Sequence, residues 1–197
     1  MPTTPIKLAV IVGSTREGRF APVVANWFTG HARQRDDVIV DVIDLAEHRL
    51  PVVLPTFGAD LATEDAEALA AVSVRLSDAD AFAVVTPEYN HSFPASLKNL
   101  IDWHHQQWHA KPVGFVSYGG LAGGLRAVEH LRQVFAELHA VTVRDTVSFH
   151  GAWTRFDPDG HPNDPEGCAG AAKTMLDQLT WWARVLRDAK AVTPYHA

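Results

Sequence analysis

Residues 6–20 read IKLAVIV (Ile6–Val12) followed at once by GSTREGRF (Gly13–Phe20), and this junction decides the fold. A nearly unbroken aliphatic run is the pattern of a strand covered on both faces, which is the situation in a parallel sheet. The run ends on Gly13, hydroxyls at Ser14 and Thr15 follow, and from Arg19 to Arg33 the residues Phe20, Val23, Val24, Trp27 and Phe28 recur at helical spacing. Working outward, the same alternation repeats. Strands are expected at Val38–Ile43, Ala81–Thr86, Pro112–Tyr118 and Val141–Phe149. Helices are expected at Glu64–Ala79, along the stripe Phe93, Leu97, Ile101, Trp108, and along Leu125, Val128, Leu131, Phe135 and Leu138. Ser92 is in place to cap the third helix, with Pro94 in its first turn. A closing helix runs from about Glu166 to Ala189. Ala46–Thr63 and Ala152–Gly167 read as long loops.

Short buried strands alternating with helices give a parallel sheet with helices on both faces. Five strands fit the order 2-1-3-4-5 of a three-layer, flavodoxin-like α/β sandwich better than the six-stranded dinucleotide fold. A chain of 197 residues suits one domain spanning 1–197. The net charge of −6, with no Lys/Arg run, argues against a nucleic-acid or anionic-membrane surface. A single cysteine, Cys168, excludes an internal disulfide framework and CxxC redox chemistry and reads as a small residue of no special role. The N-terminal apolar run is far shorter than the roughly 18 residues a membrane span needs, and no signal-peptide pattern is present, so a cytoplasmic location is expected.

In open α/β sheets ligands bind outside the carboxyl ends of the strands, where the strand order reverses. Three chemically unusual segments follow such ends: Gly13–Phe20, PEYNHS (Pro87–Ser92) and SYGGLAGG (Ser117–Gly124). In the order 2-1-3-4-5 their strands are neighbours, so all three loops face one crevice. The first loop suits a phosphate: hydroxyls on Ser14 and Thr15, charge on Arg16 and Arg19, and unpaired N–H groups at a helix start. A P-loop is ruled out, because Arg19 and Phe20 stand where lysine and Ser/Thr are needed. A GxGxxG dinucleotide loop fails at Thr15, which leaves Asp44 as a surface residue rather than a ribose ligand. A mononucleotide phosphate remains. In the second loop Pro87 stops the strand, Tyr89 offers a ring face and Asn90 an amide; an ordinary strand-to-helix turn is the competing reading. In the third, Gly119, Gly120, Gly123 and Gly124 either make room for a flat ring or serve helix entry.

These segments, with PEYNHSFPASLKNLIDW (Pro87–Trp103) and SYGGLAGGLRAVEHLRQVF (Ser117–Phe135), resemble the NAD(P)H-dependent FMN reductases of flavodoxin-like fold, which include quinone, chromate and azo reductases. The resemblance covers about Ile6 to Phe149. It implies FMN as cofactor and NADPH or NADH as co-substrate. It also implies Ser14, Arg16 and Arg19 at the phosphate with Thr15 supporting, Pro87, Glu88, Tyr89 and Asn90 along the ring, and Ser117, Gly119 and Gly120 near the ring or ribityl chain, with Phe20 and Tyr118 as further cofactor-binding candidates. Many relatives carry Ser and Asn where Arg19 and Ala21 stand here, and the second arginine is expected to offset the loss. Hydride would pass from nicotinamide to flavin and on to a quinone, a free flavin, an azo compound or a metal oxyanion, with no side chain required as acid or nucleophile. The alternative is a non-catalytic FMN-binding electron carrier. The resemblance also implies a homodimer or homotetramer, with residues 46–63 covering the partner's flavin. His105 and His109 stand four apart, but nothing completes a zinc site, so no metal is expected. His91 is a candidate for lining the substrate space.

Overall fold

The computed structural model describes residues 4–56 and 58–196. Its elements run β1 (Ile6–Val12), α1 (Ala21–Arg33), β2 (Val38–Asp44), α2 (Thr63–Asp78), β3 (Ala81–Pro87), α3 (Ala95–Trp103), β4 (Pro112–Gly119), α4 (Leu125–Glu137), β5 (Val141–Thr142), β6 (Val147–His150) and α5 (Pro165–Val192). The sheet order is β2-β1-β3-β4-β5, with β6 also on β4, and every pairing is parallel. The expected flavodoxin-like three-layer sandwich is therefore present.

Alternation along the strands assigns residues to the two faces. Leu8, Val10 and Val12 of β1 pack with Val24 and Phe28 of α1 and with Met175 and Leu179 of α5. Ala9 and Ile11 face the other way, with Val72 of α2, Leu97 of α3 and Leu131 and Phe135 of α4. A strand buried on both faces has no polar position to spare, which is why IKLAVIV is apolar almost throughout.

The structure corrects four sequence expectations. The fifth strand is broken: β4 residues Val113 and Val116 pair with Thr142 and Val147, so three steps on β4 match five on its neighbour. Arg132 bonds the carbonyls freed at the break, Val143 O at 2.8 Å and Arg144 O at 3.0 Å. The third helix stops at Trp103 instead of reaching Trp108. Trp108 sits on a separate 3₁₀ turn, fully buried against Phe82 and Phe135; an apolar period does not reveal that the backbone has broken beneath it. Ser92 caps no helix: it closes a tight turn with Tyr89, N–H to O at 2.8 and 3.1 Å, and Pro94 takes the cap position. The closing helix starts at Pro165, capped by the Asp164 carboxylate on Gly167 N–H at 3.0 Å, and continues to Val192. His104 is buried between Ser73 and the Leu100 carbonyl, a structural residue. No helix among the described residues is long and apolar enough to cross a membrane.

Candidate functional site

The three loops leave the carboxyl ends of the adjacent strands β1, β3 and β4, on one rim of the sheet. They are also bonded to one another. The Ser14 and Tyr89 hydroxyls lie 2.7 Å apart, joining the first loop to the second. Ser96 Oγ donates to Gly13 O at 2.6 Å from the start of α3. Glu88 N–H donates to Tyr118 O at 3.2 Å, and the Glu88 carboxylate receives Arg126 Nη1 at 2.9 Å and the Arg126 backbone N–H at 3.3 Å. A carboxylate at the first turn of α4 also meets the positive end of the helix dipole. Glu88 thus fastens the second loop to the third.

In the first loop, none of the backbone N–H groups from Ser14 to Gly18 has an acceptor among the described residues. Consecutive free amides before a helix are the donor set that anions occupy. Gly18 turns the chain at φ +65°. The two arginines of the loop differ in surroundings. Arg16 is exposed and makes no ion pair among the described residues. Arg19 turns inward: it clasps the Asp44 carboxylate through both guanidinium nitrogens at 2.5 and 2.6 Å and donates to Ser14 O at 2.6 Å. Asp44 is accordingly no free surface residue. It anchors the loop to the end of β2, and its carboxylate raises the Arg19 pKa. Phe20 packs inward against Tyr118 and Phe156, with ring centroids 6.2 and 5.5 Å away.

The second loop carries Asn90 at φ +48° and His91 at φ +72°, a left-handed pair that non-glycine residues rarely adopt. The neighbouring bridge between Tyr89 and Ser92 holds it, and no N–H bond from Asn90 or His91 is present among the described residues. An open cleft of about 550 Å³ lies between this loop and the first, lined by Thr15, Arg16, Glu88, Tyr89, Asn90 and Ser96. It adjoins a second cavity of about 510 Å³ with a more apolar wall, including Leu45, Leu50, Val52 and Asn99.

The third loop is mostly turned inward. Ser117 is buried and donates to Gly123 O at 2.8 Å. Gly124 has φ +87°, and a Cβ there would lie 2.7 Å from Ser117 Cβ and 2.9 Å from Tyr118 N; helix entry, the competing reading of these glycines, accounts for it. The Tyr118 hydroxyl is buried with no hydrogen-bond partner among the described residues. Burial raises its pKa, so it stays a neutral phenol. Gly119 is buried, and a Cβ at Gly120 would lie 3.8 Å from the edge of the Trp153 indole. Of the thirteen positions expected from sequence, the rim therefore presents Thr15, Arg16, Tyr89 and Asn90 outward, while Ser14, Pro87, Ser117, Tyr118 and Gly119 are buried behind it. Sequence reading missed Arg126, which neutralises Glu88, and Trp153, which is 65% exposed on a turn taken for plain surface loop. A tryptophan inside a polar loop was the one available signal.

Comparison with known proteins gives the family. The sequence model of the family described as NADPH-dependent FMN reductase matches residues 6–154. A probable NADPH:quinone oxidoreductase of Oryza sativa is 30% identical over 98% of this chain and 96% of its own. A 2-hydroxy-1,4-benzoquinone reductase of a Burkholderia species is 30% identical over 91% and 97%. An NAD(P)H-dependent FMN reductase of Schizosaccharomyces pombe is 36% identical, the match spanning 60% of each chain. Among solved structures, the flavoenzyme NAD(P)H:acceptor oxidoreductase FerB of Paracoccus denitrificans superposes with a TM-score of 0.72 at 23% identity, over 91% of this chain and 97% of its own, a likeness of fold. The chain belongs to the NADPH-dependent FMN reductases, a family of flavin-dependent oxidoreductases.

Proposed function

We propose that residues 1–197 form a single FMN-binding domain that oxidises NADPH or NADH and reduces a small acceptor, a quinone first of all. The observation that carries this reading is the row of amides from Ser14 to Gly18 beside Arg16, all without a partner among the described residues, opening onto the cleft walled by Tyr89 and Asn90. Those donors fit a phosphate monoester, and the cleft beside them fits a flat ring. When bound there, FMN supplies the hydride-accepting and hydride-donating centre.

The chain's own residues then have distinct tasks. Thr15, Arg16 and the loop amides receive the phosphate. Arg19, held by Asp44, keeps those amides aimed outward and is a positioning residue. The bond between Ser14 and Tyr89 sets the distance from the phosphate loop to the ring loop. Asn90 and the free N–H groups at the turn face the polar edge of the ring, where donors favour a reduced, anionic flavin. Trp153 and His91, both exposed at the rim, line the space for nicotinamide and acceptor. The two relatives named as a quinone oxidoreductase and a benzoquinone reductase favour a quinone over free flavin, azo compounds or metal oxyanions. A homodimer or homotetramer is part of the proposal, supported by the exposed run Val52, Val53 and Leu54 beside the second cavity; light scattering during gel filtration tests it. A cytoplasmic setting, where NAD(P)H is supplied, completes it.

Flavin fluorescence titration is the first experiment. FMN should bind and be quenched, and Arg16→Ala should weaken it about ten- to a hundredfold, the range of one or two charge-assisted hydrogen bonds. The loaded protein should turn over NADPH with a benzoquinone. No FMN binding at any concentration, or unchanged affinity in Arg16→Ala, rejects the proposal.

A further inference from the structure

The opposite rim of the sheet carries a second concentration of polar groups, for which the flavin reaction has no use. An open cleft of about 620 Å³ is lined by Lys111, Lys190, His109, His196, Gln106 and Tyr195, among others, and no Asp or Glu among the described residues lines it. Lys111 immediately precedes β4, at the amino end of that strand. The eight residues of β4, at about 3.3 Å each, put it about 25 Å from the third loop.

Lys111 is 7% exposed. Two of its three ammonium protons are used: Nζ donates to Leu76 O at 2.8 Å and Ser77 O at 3.0 Å, closing the last turn of α2. Neither Lys111 nor Lys190 makes an ion pair among the described residues. The acids nearest to them are committed elsewhere, Asp78 to Lys7 at 2.6 Å and Asp80 to Arg187 at 3.2 Å. Three histidines stand together here: the His109 and His105 rings share a hydrogen bond, Nε2 to Nδ1 at 3.2 Å, and the His109 ring is 5.0 Å from that of His139, whose Nδ1 lies 2.8 Å from the Tyr195 hydroxyl. Two lysine ammoniums without an ion pair among the described residues therefore stand on one rim of a protein whose net charge is −6.

We infer that this cleft is a second ligand site, distinct from the flavin site, which binds a small phosphorylated anion. Two lysine ammoniums suit phosphoryl oxygens, as compact point charges. The volume is that of a site for a metabolite-sized molecule rather than a bare ion. Burial first, and Lys190 second, push Lys111 down to about 8, with Asp80 and Asp78 only partly opposing. Burial, then His105 and His139, lower His109. An anion in the cleft would reverse both effects.

The test is calorimetric titration of the FMN-loaded full chain with inorganic diphosphate at constant ionic strength, with citrate as a parallel arm. One equivalent of diphosphate should bind saturably. Lys190→Gln, in the last turn of α5, should weaken it about tenfold, one charge-assisted hydrogen bond, and His109→Gln should weaken it as well. The His109 resonance should move to higher apparent pKa on saturation. Absence of saturable binding overturns the inference, as does affinity unchanged in Lys190→Gln, or saturation by citrate where diphosphate fails. Binding that survives Lys190→Gln but vanishes in Arg16→Ala places the anion in the first loop and overturns it too. Because Lys190 is remote from that loop, its arm is readable whether or not FMN binds.

Discussion

Arg16 and Arg19 lie three positions apart in one loop, yet their surroundings give them separable roles. Arg16 is exposed and makes no ion pair among the described residues, whereas Arg19 shares a bidentate pair with Asp44 and a bond to Ser14 O. Arg16→Ala should leave the thermal midpoint of the FMN-free protein unchanged while weakening FMN. Arg19→Ala should lower both, since it leaves a half-buried carboxylate unpaired, at a cost of about 1–3 kcal/mol. Circular dichroism melts paired with flavin titrations separate the two. Gly124→Ala is a second residue-scale case. At φ +87° an alanine pays about 1–2 kcal/mol for the left-handed region, and its Cβ meets Ser117 at 2.7 Å. Urea denaturation should show a loss of at least about 2 kcal/mol, the strain and the overlap together.

At the scale of elements, the contacts that assemble the rim run between loops distant in sequence. Glu88 faces Arg126 and the first turn of α4, so Glu88→Gln should weaken the join of the second and third loops without unfolding the sheet. The expected result is a loss of about 1 kcal/mol in stability, as for a partly exposed charged pair, and a several-fold fall in NADPH-quinone turnover. Steady-state kinetics beside a denaturation curve reads both. Trp108 makes the opposite kind of join. It is wholly buried on its own 3₁₀ turn against Phe82 and Phe135, with Nε1 donating to His104 O at 2.8 Å. Trp108→Ala should cost about 3–5 kcal/mol, because the cavity left between strand and helix cannot close.

Across the whole molecule, one ion cluster ties the start of β2 to α5. Asp37 receives Arg35 at 2.9 Å and also Arg184, and Arg35 reaches on to Asp177 at 2.5 Å. The guanidinium of Arg35, and then that of Arg184, hold the Asp37 carboxyl down at about 2. A carboxyl lowered in the folded state stabilises it above the ordinary aspartate value near about 3.9. That contribution fades as pH falls from about 4 toward 2. Asp37→Asn should therefore be weaker than the parent by about 1–2 kcal/mol at pH 7, allowing for the partial exposure of the pair. The gap should narrow as urea curves are repeated down to pH 2. A constant gap across that range would assign the stability to something other than charge.

What the chain's own order of residues determined is the layering and the rim. IKLAVIV, AFAVVT and PVGFVSY are apolar on both faces, and that alone demands helices on either side and brings the three loops after them to one edge. Local composition also marked Thr15, Arg16, Tyr89 and Asn90, which the rim presents outward, but it marked Ser14, Pro87, Ser117 and Tyr118 alike, and these lie buried behind it. Only the tertiary structure decided which arginine is free, because that depends on Asp44 arriving from the next strand. It alone placed Trp153 beside Gly120, broke the last strand in two, and gathered Lys111, Lys190 and His109 on the far rim. The reason is physical: periodicity reports which face of an element is buried, whereas the pairing of a charge or the cover over a ring is set by side chains tens of residues away.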